Sequence, residues 1–320
     1  MTTLPRAPHL AIVGPTAAGK SALALAVARE REEVEIVSLD SMQVYRGMDI
    51  GTAKPSAAER AEVVHHLIDV ADPAEEWSVR RTQTAVADAL ASMQARGKRA
   101  LLVGGTGLYV HAVVDALTIP GEDPVRRAEL DARTATADGL AGAYRELEAR
   151  DPAAAARIEP NNRRRIVRAL EVMDATGRPF SSFGPGLDHF GEPQLAVRLV
   201  GVWLPRAELA RRIEKRVDAM FAAGFVDEVR ALAERADGMS RNAMQAIGYR
   251  EVLALLGGEI ATQQEAAARV ARRTRAFARR QRMWFRRDPR TTWLGCDRDP
   301  ERLTGAVRAL WASDPVGVAA

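Results

Sequence analysis

The octapeptide Gly14-Pro15-Thr16-Ala17-Ala18-Gly19-Lys20-Ser21 constrains this 320-residue chain more than any other stretch. It fits the P-loop pattern G-x-x-x-x-G-K-[ST], and its flanks supply the strand–loop–helix setting that the pattern requires. The apolar run His9–Val13 precedes it, and a helical pattern from Ser21 to Arg29 follows. Glycines let backbone N–H groups turn inward around a phosphate, and the helix N-terminus adds positive dipole there. In that geometry Lys20 reaches an outer phosphate and the Ser21 hydroxyl holds Mg²⁺. The motif specifies a phosphate chain but not the molecule that carries it.

The pattern beyond the loop predicts an α/β fold. Short apolar strands are expected at Glu35–Asp40, His65–Val70 and Ala100–Val103, with a helix over 79–95 that Gly97 stops. Strands alternating with helices imply a parallel sheet, and ligands of such sheets sit outside the strand carboxyl ends. The P-loop, Asp40 and Thr106 all fall at such ends and are expected to face one crevice. From about Asp115 the strand signal disappears. Asp123-Pro124 opens a helix, Leu140, Tyr144 and Leu147 mark a second, and Pro160 precedes a third that ends at Gly177. A Gly/Pro-rich loop leads out, a strand returns at Ala196–Leu204, long helices follow to about 288, and Thr291–Cys296 forms a late strand. The predicted organisation is therefore a P-loop core over 1–115, an all-helical insertion over 116–195, a return to the core over 196–313, and a tail over 314–320.

Composition narrows the function classes. No apolar run reaches the length of a membrane span, and the N-terminus lacks the apolar core of a signal peptide. Cys296 is the single cysteine, which excludes a disulfide framework or a cysteine zinc site. A reducing cytoplasm follows as the expected compartment. The net charge is only +4, yet residues 269–290 hold ten arginines and one acid, Asp288. That asymmetry suggests a polyanionic partner. Within this segment Val270, Phe277 and Trp284 recur every seven residues and are expected to form its core-facing stripe. The histidines show no metal-ligand spacing.

Three polar constellations remain. Asp40, at a strand end beside the P-loop, could ligate Mg²⁺, act as a general base or cap the next turn. Arg46–Pro55 is a loop with two glycines, and Gly104-Gly105-Thr106-Gly107-Leu108-Tyr109 is a second glycine turn. Taken with the P-loop, the blocks Asp40-Ser41-x-x-x-Tyr45-x-Gly47 through Pro55, Gly104–Tyr109, Arg168-Ala169-Leu170-Glu171-Val172, Gly248-Tyr249-Arg250-Glu251 and Arg279-Arg280-Gln281-x-x-Trp284 resemble the bacterial tRNA dimethylallyltransferases, in the same order and over nearly the whole chain.

The resemblance implies a cytoplasmic, monomeric, Mg²⁺-dependent transferase with a P-loop NTPase-like core. It would move a dimethylallyl group from dimethylallyl diphosphate to N6 of the adenosine at tRNA position 37, just 3′ of the anticodon. The P-loop, Gly14, Pro15, Thr16, Ala17, Ala18, Gly19, Lys20 and Ser21, would hold the departing diphosphate, with Arg216 as a further contact. Lys20 and Thr16 would assist the transfer, and Asp40 would take the N6 proton. Segments aligned with tRNA contacts are Asp40, Ser41, Met42 and Gln43; Arg164, Arg165, Ile166, Val167 and Arg168; and Gln245, Ala246, Ile247, Gly248, Tyr249 and Arg250. Thr106 and Arg127 align with single contacts. Ala18 and Ser21 stand where serine and threonine are commoner, and the zinc finger of eukaryotic members is absent. The competing readings are an adenylate isopentenyltransferase or other small-molecule P-loop kinase, and a non-catalytic RNA-binding module.

Overall fold

The computed structural model describes residues 9–184, 186–187, 189–296 and 299–312. The tail expected over 314–320 lies outside them. The described chain forms two units, one comprising the residues up to Ala116 and from Phe190 onward, the other Leu117–His189.

Strand β1 (His9–Val13) is the centre of the first unit. It is flanked by β4 (Arg99–Gly104) and β5 (Val197–Trp203). β2 (Val34–Ser38) and then β3 (His65–His66) extend one side, and β6 (Thr291–Gly295) the other, giving the order β3-β2-β4-β1-β5-β6 with every pair parallel. Both faces of β1 are covered, which is why its sequence is uniformly apolar rather than alternating. Leu10 and Ile12 pack under α1 (Lys20–Arg29) and α14 (Thr304–Ala312). Ala11 and Val13 pack under α3 (Val79–Ala95) and α4 (Gly107–Val114).

The third strand is shorter than the apolar run His65–Val70 predicts. Only His65 and His66 pair with Ile36 and Val37. Leu67 and Asp69 then take left-handed backbone angles, φ 62° and 58°, and leave the sheet, while the Asp69 carboxylate is drawn onto Lys54 and Arg60.

After β5 come α9 (Arg206–Ala222), α10 (Phe225–Ala233), α11 (Arg241–Met244), α12 (Tyr249–Leu256) and α13 (Gln263–Phe285). They enclose a separate core around Phe225, Tyr249 and Val270. The buried stripe of α13 differs from the expected one. Val270 is buried, but Phe277 and Trp284 are only half-buried; the inward positions are Ala271, Ala278 and Phe285, joined by Gln281. Small residues at 271 and 278 let α13 lie close to its neighbours, which the large-residue periodicity could not reveal. α2 (Ala57–Glu62) is a short exposed helix closed by a Ser56–Glu59 capping box.

The second unit is entirely helical. α5 (Pro124–Arg133), α6 (Ala137–Arg150), α7 (Pro152–Ala155) and α8 (Arg163–Thr176) start on side-chain caps from Asp123, Thr136, Asp151 and Asn162. They pack around Leu130, Leu147, Ile166 and Leu170. Within it, buried Glu171 receives the Asp123 N–H, the Arg127 guanidinium at 2.6 Å and that of Arg168 at 3.0 Å.

Candidate active site

Backbone geometry makes the P-loop. Gly14, Ala17 and Gly19 have φ of 138°, 61° and 88°. A Cβ on Gly14 would stand 2.5 Å from the Val202 carbonyl oxygen, so the turn requires glycine there. The loop lines a cavity of ≈ 470 Å³, into which Thr16, Ala17, Gly19, Lys20 and Ser21 face together with Ser38, Asp40, Gln43, Gly104, Gly105, Arg212, Lys215 and Arg216. Thr106 is one residue beyond the lining; the second glycine turn contributes Gly104 and Gly105 instead. Thr106 sits at the N-cap of α4 without a side-chain capping bond.

The charges in the cavity are arranged around the loop. Lys20 Nζ donates to the Pro15 carbonyl at 2.8 Å. Burial pulls its pKa down to about 8, against the attraction of Asp40 and with the repulsion of Arg216. Arg216, half-buried on α9, reaches Thr16 Oγ1 and the Thr52 carbonyl, both at 3.4 Å. Burial lowers its pKa as well, while Asp40 supports its charge. Arg216 therefore lines the cavity beside the P-loop. Asp40 Oδ1 accepts the N–H groups of Met42 at 2.9 Å and Gln43 at 3.4 Å, so the carboxylate does cap the following turn. Oδ2 takes no part in that turn.

The opposite wall is the Arg46–Pro55 loop, and its order comes from far away in sequence. Glu228 on α10 accepts three consecutive N–H groups, from Asp49, Ile50 and Gly51, and the Tyr249 hydroxyl at 2.6 Å. Burial and the Glu228 carboxylate push the Tyr249 phenol up, so it stays a donor. Lys54 is almost wholly buried, bonded to the Tyr45 carbonyl and paired with Asp49 and Asp69. The buried Gln43 amide accepts from Ser38 Oγ and donates to the Thr52 and Ala53 carbonyls. On the far side of the P-loop, Gln281 bonds both Thr16 and Gly105. The sequence signal for these supports is thin: Gln281 is a lone amide in an arginine run, and nothing local marks Glu228.

Several residues expected to touch RNA are placed differently. Ile166 and Val167 are core residues of the helical unit, Ala246 and Gly248 are buried, and Tyr249 is fully buried on Glu228. Apolar side chains inside a core leave only neighbouring exposed positions for a partner. Arg164, Arg165, Gln245 and Arg250 are exposed, and Ser41, Met42 and Ile247 are half-buried. Along α13 and just beyond its end, Arg269, Arg273, Arg275 and Arg290 are ion-paired, whereas Arg272, Arg279 and Arg286 form an exposed seven-residue stripe without an acid partner among the described residues.

Among the described residues, no group of three or more His, Cys, Asp or Glu could hold a metal ion, and no helix is long and apolar enough to cross a membrane. Side-chain oxygens that line the cavity include the Ser21 hydroxyl and the Asp40 carboxylate, with Thr16, Ser38, Gln43 and Thr52 beside them.

Comparison with known proteins gives a consistent set of relatives. The family described as IPP transferase matches residues 43–288, and the one described as Isopentenyl transferase matches residues 8–70. The chain is 50% identical to the tRNA dimethylallyltransferase of Salinispora tropica over 88% of this chain and 86% of that one. It is 48% identical to that of Kineococcus radiotolerans over 96% of each. Among solved structures it is similar to the Bacillus halodurans tRNA isopentenylpyrophosphate transferase, with TM-score 0.66, 38% identity and 95% and 96% of the two chains covered. It also resembles a eukaryotic dimethylallyltransferase acting on tRNA, with TM-score 0.76, 26% identity and 94% and 77% covered.

Proposed function

The chain belongs to the IPP transferase family of tRNA dimethylallyltransferases, and on that premise we propose how its cavity performs the transfer. It is a transferase that prenylates tRNA. The donor is dimethylallyl diphosphate and the acceptor atom is N6 of the adenosine at position 37, 3′ of the anticodon. The P-loop holds the donor's diphosphate. As N6 attacks the allylic carbon, the C–O bond breaks and negative charge grows on the leaving diphosphate. Lys20, Arg216 and the loop amides stabilise it, which is oxyanion-hole logic applied to a leaving group. The N6 proton passes to Asp40, through the oxygen that the Met42 and Gln43 amides leave available. The observation that carries this reading is the convergence of Lys20, Arg216 and Asp40 on one cavity.

The Ser21 hydroxyl offers a hard oxygen donor of the kind Mg²⁺ prefers, and a Mg²⁺ site commonly completes its shell with water and substrate phosphate. Bound there, the ion would neutralise charge on the diphosphate oxygens. The target base is stacked in an anticodon stem-loop and has to be splayed out to react. The exposed stripe Arg272, Arg279 and Arg286 meets the RNA phosphates, as do Arg164 and Arg165 of the helical unit. The absence of a membrane-crossing helix among the described residues is compatible with work on tRNA in the cytoplasm.

The small-acceptor alternative is not favoured: the Isopentenyl transferase match covers residues 8–70 only, while the IPP transferase match continues to residue 288. Incubation with dimethylallyl diphosphate, Mg²⁺ and either tRNA or AMP, followed by nucleoside mass spectrometry, tests the proposal. A five-carbon gain on tRNA adenosine is expected; a gain on AMP alone contradicts it.

A further inference from the structure

Gln281 is 6% exposed and lies on the inward face of α13, between Ala278 and Phe285. Its amide oxygen accepts the Thr16 N–H at 2.8 Å, and its amide nitrogen donates to the Gly105 carbonyl at 2.8 Å. These two anchors belong to the turns that follow β1 and β4, the adjacent strands from which the cavity rises. A Cβ at position 105 would stand 2.4 Å from Gln281 Nε2, so the approach is possible only over a glycine. The Thr16 N–H is thereby engaged inside the protein, and Thr16 offers the cavity its hydroxyl, which Arg216 Nη1 meets at 3.4 Å. Gln281 is flanked by the exposed Arg279 and Arg280 and followed by Arg282 on the same helix.

We propose that Gln281 is a positioning residue for the prenyl transfer: its amide spans the P-loop and the second glycine turn, fixes Thr16 and the donor end of the cavity, and ties both to the arginine-bearing helix. The proposal rests on the reading of the P-loop as the donor site. Both hydrogen bonds are needed, because one alone leaves the amide free to swing with α13.

Steady-state kinetics with both substrates varied, for wild type, Gln281→Ala and Gln281→Glu, test it. Gln281→Ala should lower kcat/KM for dimethylallyl diphosphate by about 10- to 100-fold, the usual cost of a small misplacement, with KM for tRNA within about two-fold. In Gln281→Glu the carboxylate still accepts from Thr16 but repels the Gly105 carbonyl; once protonated it donates there and restores the span. Its donor kcat/KM relative to wild type should therefore rise as pH is lowered. A folded Gln281→Ala enzyme with donor kcat/KM within about two-fold of wild type would overturn the proposal. So would a parallel loss of donor and tRNA parameters together with a pH-independent Gln281→Glu ratio. Titration of Lys20→Ala with inorganic diphosphate separates the two levels. If Lys20→Ala binds it as wild type does, the donor-site reading fails and the proposal falls with it. If Lys20→Ala loses diphosphate while Gln281→Ala retains wild-type kinetics, only the Gln281 proposal falls.

Discussion

Two loops face each other across the cavity and are ordered by opposite means. The P-loop is shaped mainly by its own backbone, with left-handed turns at Ala17 and Gly19 and one distant side chain, Gln281, bonded to Thr16, and its cation Lys20 lines the cavity. The Arg46–Pro55 loop is held by buried side chains: Lys54 from within, Gln43 from just before it, and Glu228 and Tyr249 from helices far along the chain. On the proposed mechanism one wall supplies chemistry and the other supplies shape. Substitutions on the first should therefore change rates at nearly constant stability, and substitutions on the second should change stability first.

The largest effect is expected at Asp40, which serves both purposes. Asp40→Ala should lower kcat by about 10²–10⁴, the range for loss of a general base, with tRNA affinity within a few-fold. A fully active variant would remove the base assignment. Lys20→Ala should cost about 10²–10³ in transfer, the usual price of one key electrostatic donor, with little change in melting temperature. On the other wall, Glu228→Ala strands three backbone N–H groups and the buried Tyr249 hydroxyl. A loss of about 3 kcal/mol in unfolding free energy is expected by denaturant titration. If instead stability holds and only the rate falls, the division between the walls is wrong.

Smaller effects sharpen the same contrast. In the proposed mechanism Lys20 acts as the ammonium, and burial places its pKa at about 8, below the usual lysine range. The charged form is thus full below that pH and lost above it. The pH profile of kcat/KM for the donor, which reports the free enzyme, should fall above about pH 8, whereas a Lys20→Arg variant that retains activity should not show that fall. Joint replacement of Arg272, Arg279 and Arg286 by alanine should weaken tRNA binding. It should also flatten the slope of log K against log salt by roughly 2–3, since about 0.7–0.9 is lost per phosphate contact. An unchanged slope would show that the stripe is only solvated.

The two walls also differ in how far the sequence exposes them. The P-loop is legible because one octapeptide contains both its conformation and its chemistry, and the parallel sheet follows from apolar runs separated by helical patterns. Asp40 is legible as an acid at a strand end, and its cap uses Oδ1, which leaves Oδ2 for the proposed proton transfer. The Arg46–Pro55 loop can be seen as unusual but not explained, since Glu228 lies 177 residues beyond Gly51. Gln281 is visible within the Arg279–Trp284 block, but its bond to Thr16 is hidden for the same reason, 265 residues away. The stripe of α13 is misjudged because periodicity favours large side chains, whereas close helix packing there selects Ala271 and Ala278. Ile166, Val167 and Tyr249 show the converse: a segment can align with an RNA contact while its own side chains are core.

Calorimetric titration of dimethylallyl diphosphate into wild-type protein and Lys20→Ala, with Mg²⁺ present and melting temperatures recorded alongside, tests the central claim most directly. The account predicts saturable binding to wild type and at least about a tenfold weaker affinity for Lys20→Ala at unchanged stability. Equal affinity in the two proteins would contradict it, because the P-loop would then not be what holds the donor.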